Sequence, residues 1–141
     1  MRELFDERDM TGLAQAINGG EVSAREVVEF ALARLAERNP TVNAIVATRA
    51  DELLEEVDAG LPAGPLHGVP FAIKDLGADV AGMPTTSGSR LFADAPAAAA
   101  DSPLVATYRR AGLAIVGKTN TPEWGQNAST EPALFGPARN P

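Results

Sequence analysis

The stretch Asp101-Ser102-Pro103-Leu104-Val105-Ala106-Thr107-Tyr108-Arg109-Arg110-Ala111-Gly112-Leu113-Ala114-Ile115-Val116 decides the fold. Asp101 or Ser102 can cap a helix with Pro103 at its first position, where a missing amide hydrogen costs nothing. Leu104, Val105 and Tyr108 then face inward. Arg109 and Arg110 suit the negative end of the helix dipole, and Gly112 suits the left-handed residue beyond it. Residues 113–116 form a continuous apolar run, the pattern of a strand buried on both faces. Upstream, residues 69–73 (Val69-Pro70-Phe71-Ala72-Ile73) read as a second short buried strand, with Pro70 tolerable near its beginning. Strand, crossover helix, strand predicts a right-handed βαβ unit with parallel strands.

Between these strands, residues 61–68 are punctuated by Pro62, Gly64, Pro65 and Gly68 and read as a loop. Residues 77–100 carry Gly77, Gly82, Pro84 and Gly88, then the alanine-rich 93–100, with no periodicity. A connection of that length without regular structure is often functional. Residues 1–59 read as helical. Ser23 and Glu26 have capping-box spacing, and Val27, Val28, Ala31, Leu32 and Leu35 follow as one apolar stripe that Asn39-Pro40 should stop. A shorter helix over 9–17 closes at Asn18-Gly19-Gly20, residues 43–47 read as extended, and 51–57 as an acidic helix with Leu53, Leu54 and Val57 inward. Residues 120–141 are rich in Pro and Gly. The two buried strands need more sheet than the chain obviously supplies, so it reads as cut short.

Composition narrows the function. The 141 residues hold Lys+Arg 12 against Asp+Glu 19, a net charge of −7, which opposes the basic stripe of a nucleic-acid footprint. No cysteine is present, so no disulfide framework is expected, and a single histidine argues against a zinc site. No apolar run approaches the ~20 residues of a membrane span, and the charged start lacks the apolar core of a secretory signal. A cytoplasmic protein without metal or organic cofactor is the expectation.

Gly112-Leu113-Ala114-Ile115-Val116-Gly117-Lys118-Thr119 matches the phosphate-loop pattern letter for letter. That loop needs an exposed turn entered from a strand and leaving into a helix. Here the middle residues belong in a strand and the first glycine ends a helix. Nucleotide binding is therefore rejected.

Lys74 follows Phe71-Ala72-Ile73 directly, so its stem begins in apolar surroundings. Burial disfavours the ammonium form, and a neutral amine at the end of a parallel strand suits a general base for a serine. The competing reading is a lysine that reaches solvent or pairs with Asp75.

The wider wording favours the base. Gly64-Pro-Leu-His-Gly-Val-Pro-Phe-Ala-Ile-Lys74-Asp75, Ala81-Gly-Met-Pro-Thr-Thr-Ser-Gly-Ser89, Ala111-Gly112, and Gly117-Lys-Thr-Asn-Thr-Pro-Glu123 together resemble the amidase signature family. Phe135-Gly136-Pro137-Ala138-Arg139-Asn140-Pro141 looks like that family's lead into its serine-rich signature. These motifs in order, within a resemblance that runs from about Thr11 to the last residue, make it specific.

The resemblance implies an α/β fold in which N-terminal helices precede the first βαβ strands of a larger mixed sheet. Residues 1–59 would be its helical segment and 60–141 its catalytic-lysine segment. It implies hydrolysis of a small-molecule carboxylic amide by a Ser–cis-Ser–Lys triad, with Lys74 as the base. The cis-serine and the nucleophile belong to a Gly/Ser-rich region not found here. The serines present, Ser23, Ser87, Ser89, Ser102 and Ser129, stand in no such context. The isolated chain is therefore predicted inactive.

Trp124, Gly125, Gln126 and Asn127 match the family stretch that lines the acyl pocket and are the substrate-site candidates. Ser87, Ser89, Lys118 and Asn120 read as supporting loop residues, together with Thr119. His67 reads as a turn histidine, and Glu123 and the acidic residues 51–58 as solvated surface. Three other readings stay open: the A component of a tRNA-dependent amidotransferase, a non-catalytic interaction module, and a split enzyme whose second chain carries the serines.

Overall fold

The computed structural model describes residues 1–140, and Asp9, Ser23 and Ser102 each cap an α-helix with a side chain. A short α1 (Arg2–Glu7) precedes α2 (Met10–Asn18), where the Gly12 amide donates to the Asp9 carboxylate at 2.8 Å. Ser23 opens α3 (Ala24–Val42) with both halves of the capping box. The Glu26 amide donates to Ser23 Oγ at 3.2 Å, and the Ser23 amide to Glu26 Oε2 at 2.9 Å.

Helix α3 does not stop at Asn39-Pro40 as the sequence suggests; it runs two residues further and ends at the left-handed Asn43. Proline forfeits one helical hydrogen bond, a small loss in a final turn that Asn43 closes by donating to the Asn39 carbonyl at 2.7 Å. The Asn39 side chain instead serves the next element. Its Oδ1 accepts from the Ala44 and Ile45 amides at 2.9 and 2.8 Å, which directs the chain into β1 (Ile45–Thr48).

After α4 (Ala50–Ala59) come β2 (Pro70–Lys74), α5 (Pro103–Arg110) and β3 (Ala114–Thr119), with single 3-10 turns at Arg90–Phe92 and Glu123–Gly125. The sheet order is β1-β3-β2. Strand β2 lies parallel to β3, with Ile73 opposite Lys118 and Lys74 opposite Thr119, and β1 pairs antiparallel on the other side. That close pairing needs Gly117: a Cβ there would lie 2.2 Å from the Ala47 carbonyl oxygen.

Strand β3 is thus central, and its neighbouring residues serve opposite layers. Ala114 packs with Val28 of α3 and Leu53 of α4, while Ile115 packs with Ile73, Val80, Met83 and Val105 of α5. Fully burying a valine, leucine or isoleucine contributes about 1.5–3 kcal/mol. Leu104 breaks the sequence expectation, being 51% exposed. In a helix as short as α5, Val105 and Tyr108, three apart, already fill the inward stripe, and Leu104 falls beside it.

The connection from β2 to α5 is irregular apart from the 3-10 turn and an isolated bridge between Ala81 and Ala98. Residues 112–119 run from a helix terminus into a strand, the order that excludes a phosphate loop. Among the described residues, no helix is long and apolar enough to cross a membrane.

Candidate functional site

Lys74 and Lys118 are the only lysines, and the sheet treats them oppositely. Lys74 ends β2, an edge strand among the described residues, and its side chain is exposed, contrary to the apolar burial its neighbours suggest. Among the described residues it has no hydrogen-bond or ion-pair partner. Lys118 stands on central β3 and is 0% exposed. Its Nζ donates to the Ala78 carbonyl at 2.7 Å and to Thr85 Oγ1 at 2.9 Å, with Asp75 Oδ1 at 3.9 Å. Burial pushes the Lys118 ammonium below the usual lysine range, and Asp75 and Asp79 only partly offset this.

Asp75, the residue after Lys74, is 2% exposed and turned into this network. It accepts from the Thr86 amide at 3.0 Å and from the Thr86 hydroxyl. Thr85 Oγ1 donates onward to Asp79 Oδ1 at 2.8 Å. The start of the irregular connection is thereby fastened to the ends of β2 and β3.

A second loop lies against the first. Buried Ser89 donates to Glu123 Oε1 at 2.6 Å, so Glu123, exposed as expected, also serves as an acceptor between the loops. The Trp124 amide donates to the Ser87 carbonyl at 2.9 Å, and both residues adopt left-handed backbone, φ 53° at Ser87 and 56° at Trp124. Such conformations in non-glycine residues cost about 1–3 kcal/mol each and gather at functional sites. Gly125 (φ 68°) follows, where a Cβ would sit 2.6 Å from Leu76 Cδ2. Gly125 therefore lies against the side chain two positions beyond Lys74.

Trp124 is 45% exposed and meets the Phe92 ring edge-on at 5.1 Å. Gln126 Nε2 donates to the Trp124 carbonyl, and Asn127 Oδ1 accepts from the Ala128 amide. Both also line an open depression of about 410 Å³ with Glu123, Ser129 and Glu131. No serine hydroxyl hydrogen-bonds Lys74 among the described residues; the Ser87 and Ser89 contacts run to the 122–127 loop.

Asn120 holds a third segment. Its Nδ2 donates to the carbonyls of Asn43 and Gly136, each at 3.1 Å, while Asn43 Nδ2 donates to the Phe135 carbonyl at 2.9 Å. His67 Nδ1 stands 3.1 Å from the Pro62 carbonyl, within its own turn. Sequence reasoning missed Asp75, Thr85, Thr86 and Asn43 as site-building residues. The first three stand inside the quoted motifs; Asn43-Ala44 resembles the family's less distinctive N-terminal part, but the partners of the Asn43 side chain lie 92 to 94 positions away.

With that geometry in hand, comparison with known proteins is informative. The family model described as Amidase matches residues 26–141. The acylamidase of Rhodococcus erythropolis is 43% identical over 138 residues, covering 93% of this chain and 28% of that protein. The A component of the glutamyl-tRNA(Gln) amidotransferase of Acidothermus cellulolyticus is 43% identical over 141 residues, covering 95% and 28%. The solved structure of a bacterial aryl acylamidase of the amidase signature family superposes with a TM-score of 0.85 at 33% identity, covering 94% of this chain and 29% of that one. The chain thus spans between a quarter and a third of the length of these relatives.

Proposed function

The chain belongs to the amidase signature family, and from that premise we propose that it supplies Lys74 as the proton acceptor of a Ser–cis-Ser–Lys amide hydrolase. The observation that carries this reading is Lys74 itself. It is the exposed member of the chain's two lysines, it ends a parallel strand, and it lacks a carboxylate partner among the described residues.

The reading requires Lys74 as an amine, which takes a proton from the bridging serine as that serine takes one from the nucleophile. The nucleophilic oxygen attacks the amide carbonyl, and backbone amides hold the resulting oxyanion. The bridging serine gives one proton to the leaving nitrogen as the C–N bond breaks and recovers one from the Lys74 ammonium, and water then releases the acid from the acyl-enzyme. Both serines and the oxyanion amides would come from polypeptide other than these 141 residues. Trp124, Gly125, Gln126 and Asn127 would line the acyl side of a small-molecule amide, a reading that the position of Gly125 against Leu76 supports.

The likeness to an amidotransferase component favours a second reading, in which partner chains and charged tRNA take part. The two separate by partner: copurifying chains and tRNA dependence against hydrolysis of a simple anilide. In either case the purified chain should not turn over 4-nitroacetanilide or glutamine. Turnover by the pure chain that disappears in Lys74→Ala would overturn the assignment of the serines to other polypeptide.

A further inference from the structure

Lys74 and Asp75 are adjacent, yet they are not partners, and the structure shows what keeps them apart. Asp75 follows β2, and its amide still donates to the Thr119 carbonyl at 3.1 Å, so strand alternation already turns its side chain to the face opposite Lys74. Its carboxylate is held on the inner side by the Thr86 amide, the Thr86 hydroxyl and the Lys118 ammonium. The same ammonium is anchored by Ala78 and Thr85, so it cannot follow Asp75 outward. A buried lysine costs desolvation, and two buried charges rarely repay that cost in stability. Their retention beside the exposed amine calls for another explanation.

We propose that Lys118 is a positioning residue that occupies the Asp75 carboxylate and so leaves the Lys74 amine unpaired. A carboxylate within about 4–6 Å of a lysine favours its ammonium form. An ammonium held in that way neither accepts a proton from a serine nor attacks an acyl donor. With Lys118 in place the negative charge is spent internally, and Lys74 stays available. The inference rests on the reading of Lys74 as a base, but its test does not depend on catalysis.

The chain offers three amines to an acylating reagent: the Met1 terminus, Lys74 and Lys118. Competitive acetylation of the folded chain by dilute acetic anhydride, read by mass spectrometry, gives the Lys74 rate against the Met1 rate. Wild type should label Lys74 and spare Lys118. Lys118→Met, with folding checked by circular dichroism, should slow Lys74 about threefold or more, as Asp75 takes the neighbouring cation. Lys118→Arg should restore the rate, and so should Lys118→Met combined with Asp75→Asn. A role in stability alone would move the melting temperature and leave the labelling ratio unchanged, which would overturn the proposal.

Asp75→Asn alone decides the matter if Lys118→Met does not fold. Because Lys118 already holds the carboxylate, its removal should change the Lys74 rate by less than about twofold. A marked gain would mean that Asp75 pairs with Lys74 in the wild type, and the proposal fails. A folded Lys118→Met chain with unaltered Lys74 labelling overturns it equally. Failure of the amidase reading would appear in hydrolysis assays and would leave these ratios untouched.

Discussion

The two lysines show what a single residue's sequence context leaves open. Each ends an apolar run, Phe71-Ala72-Ile73 before Lys74 and Leu113 to Val116, with Gly117, before Lys118. Local sequence treats them alike; strand order separates them, because β3 has neighbours on both sides and β2 on one. Removing Lys118 strands the Asp75 carboxylate in the core. Lys118→Met should lose about 3–5 kcal/mol in urea unfolding, with part recovered when Asp75→Asn is added. The pH dependence has a definite sign. Lys118 titrates lower in the folded chain than its ordinary 10.5, so between those values the unfolded chain binds more protons. Stability from this residue therefore rises with alkaline pH across that window. Lys118→Arg, which cannot lose its proton there, should lack the rise; equal slopes for both chains would contradict the burial argument.

At the scale of elements, the legible signals are those whose partners lie within a few residues. The Ser23–Glu26 box, Ser102 as a cap, Pro103 at a first turn and left-handed Gly112 all act locally. Pro40 misleads because its cost depends on how the helix end is closed, which Asn39 and Asn43 decide. Leu104 misleads because neighbours three apart on α5 already cover the core. Strand β1 is legible as extended, but its antiparallel partner is not, since the pairing joins residues 45–48 to 117–119. Gly117→Ala would push a methyl into the Ala47 carbonyl and should cost about 1–3 kcal/mol, read as a lower urea midpoint at unchanged slope. The capping box predicts an acid effect. The Ser23 hydroxyl and amide hold the Glu26 carboxyl below its ordinary 4.5. Its contribution is present above that value and lost as pH falls through the folded one. Glu26→Gln should flatten that part of the stability profile; an identical acid limb would show that the box contributes nothing.

For the whole molecule, the arrangement is a three-stranded sheet between α3 and α4 on one face and α5 with the irregular connection on the other. The family is legible because its motifs are contiguous words. The way they meet is not, because Ser89 to Glu123, Ser87 to Trp124 and Asn43 to Phe135 are contacts between distant words. These contacts tie Glu123 and Trp124 to the connection that follows β2, and Phe135 to the turn between α3 and β1. The most direct measurement exchanges this chain for the matching segment of the Rhodococcus erythropolis acylamidase and follows 4-nitroacetanilide hydrolysis. The account predicts an active chimera that loses at least about a thousandfold in kcat on Lys74→Ala, while the 141-residue chain alone stays inactive. An active chimera that keeps its rate without Lys74 would contradict it.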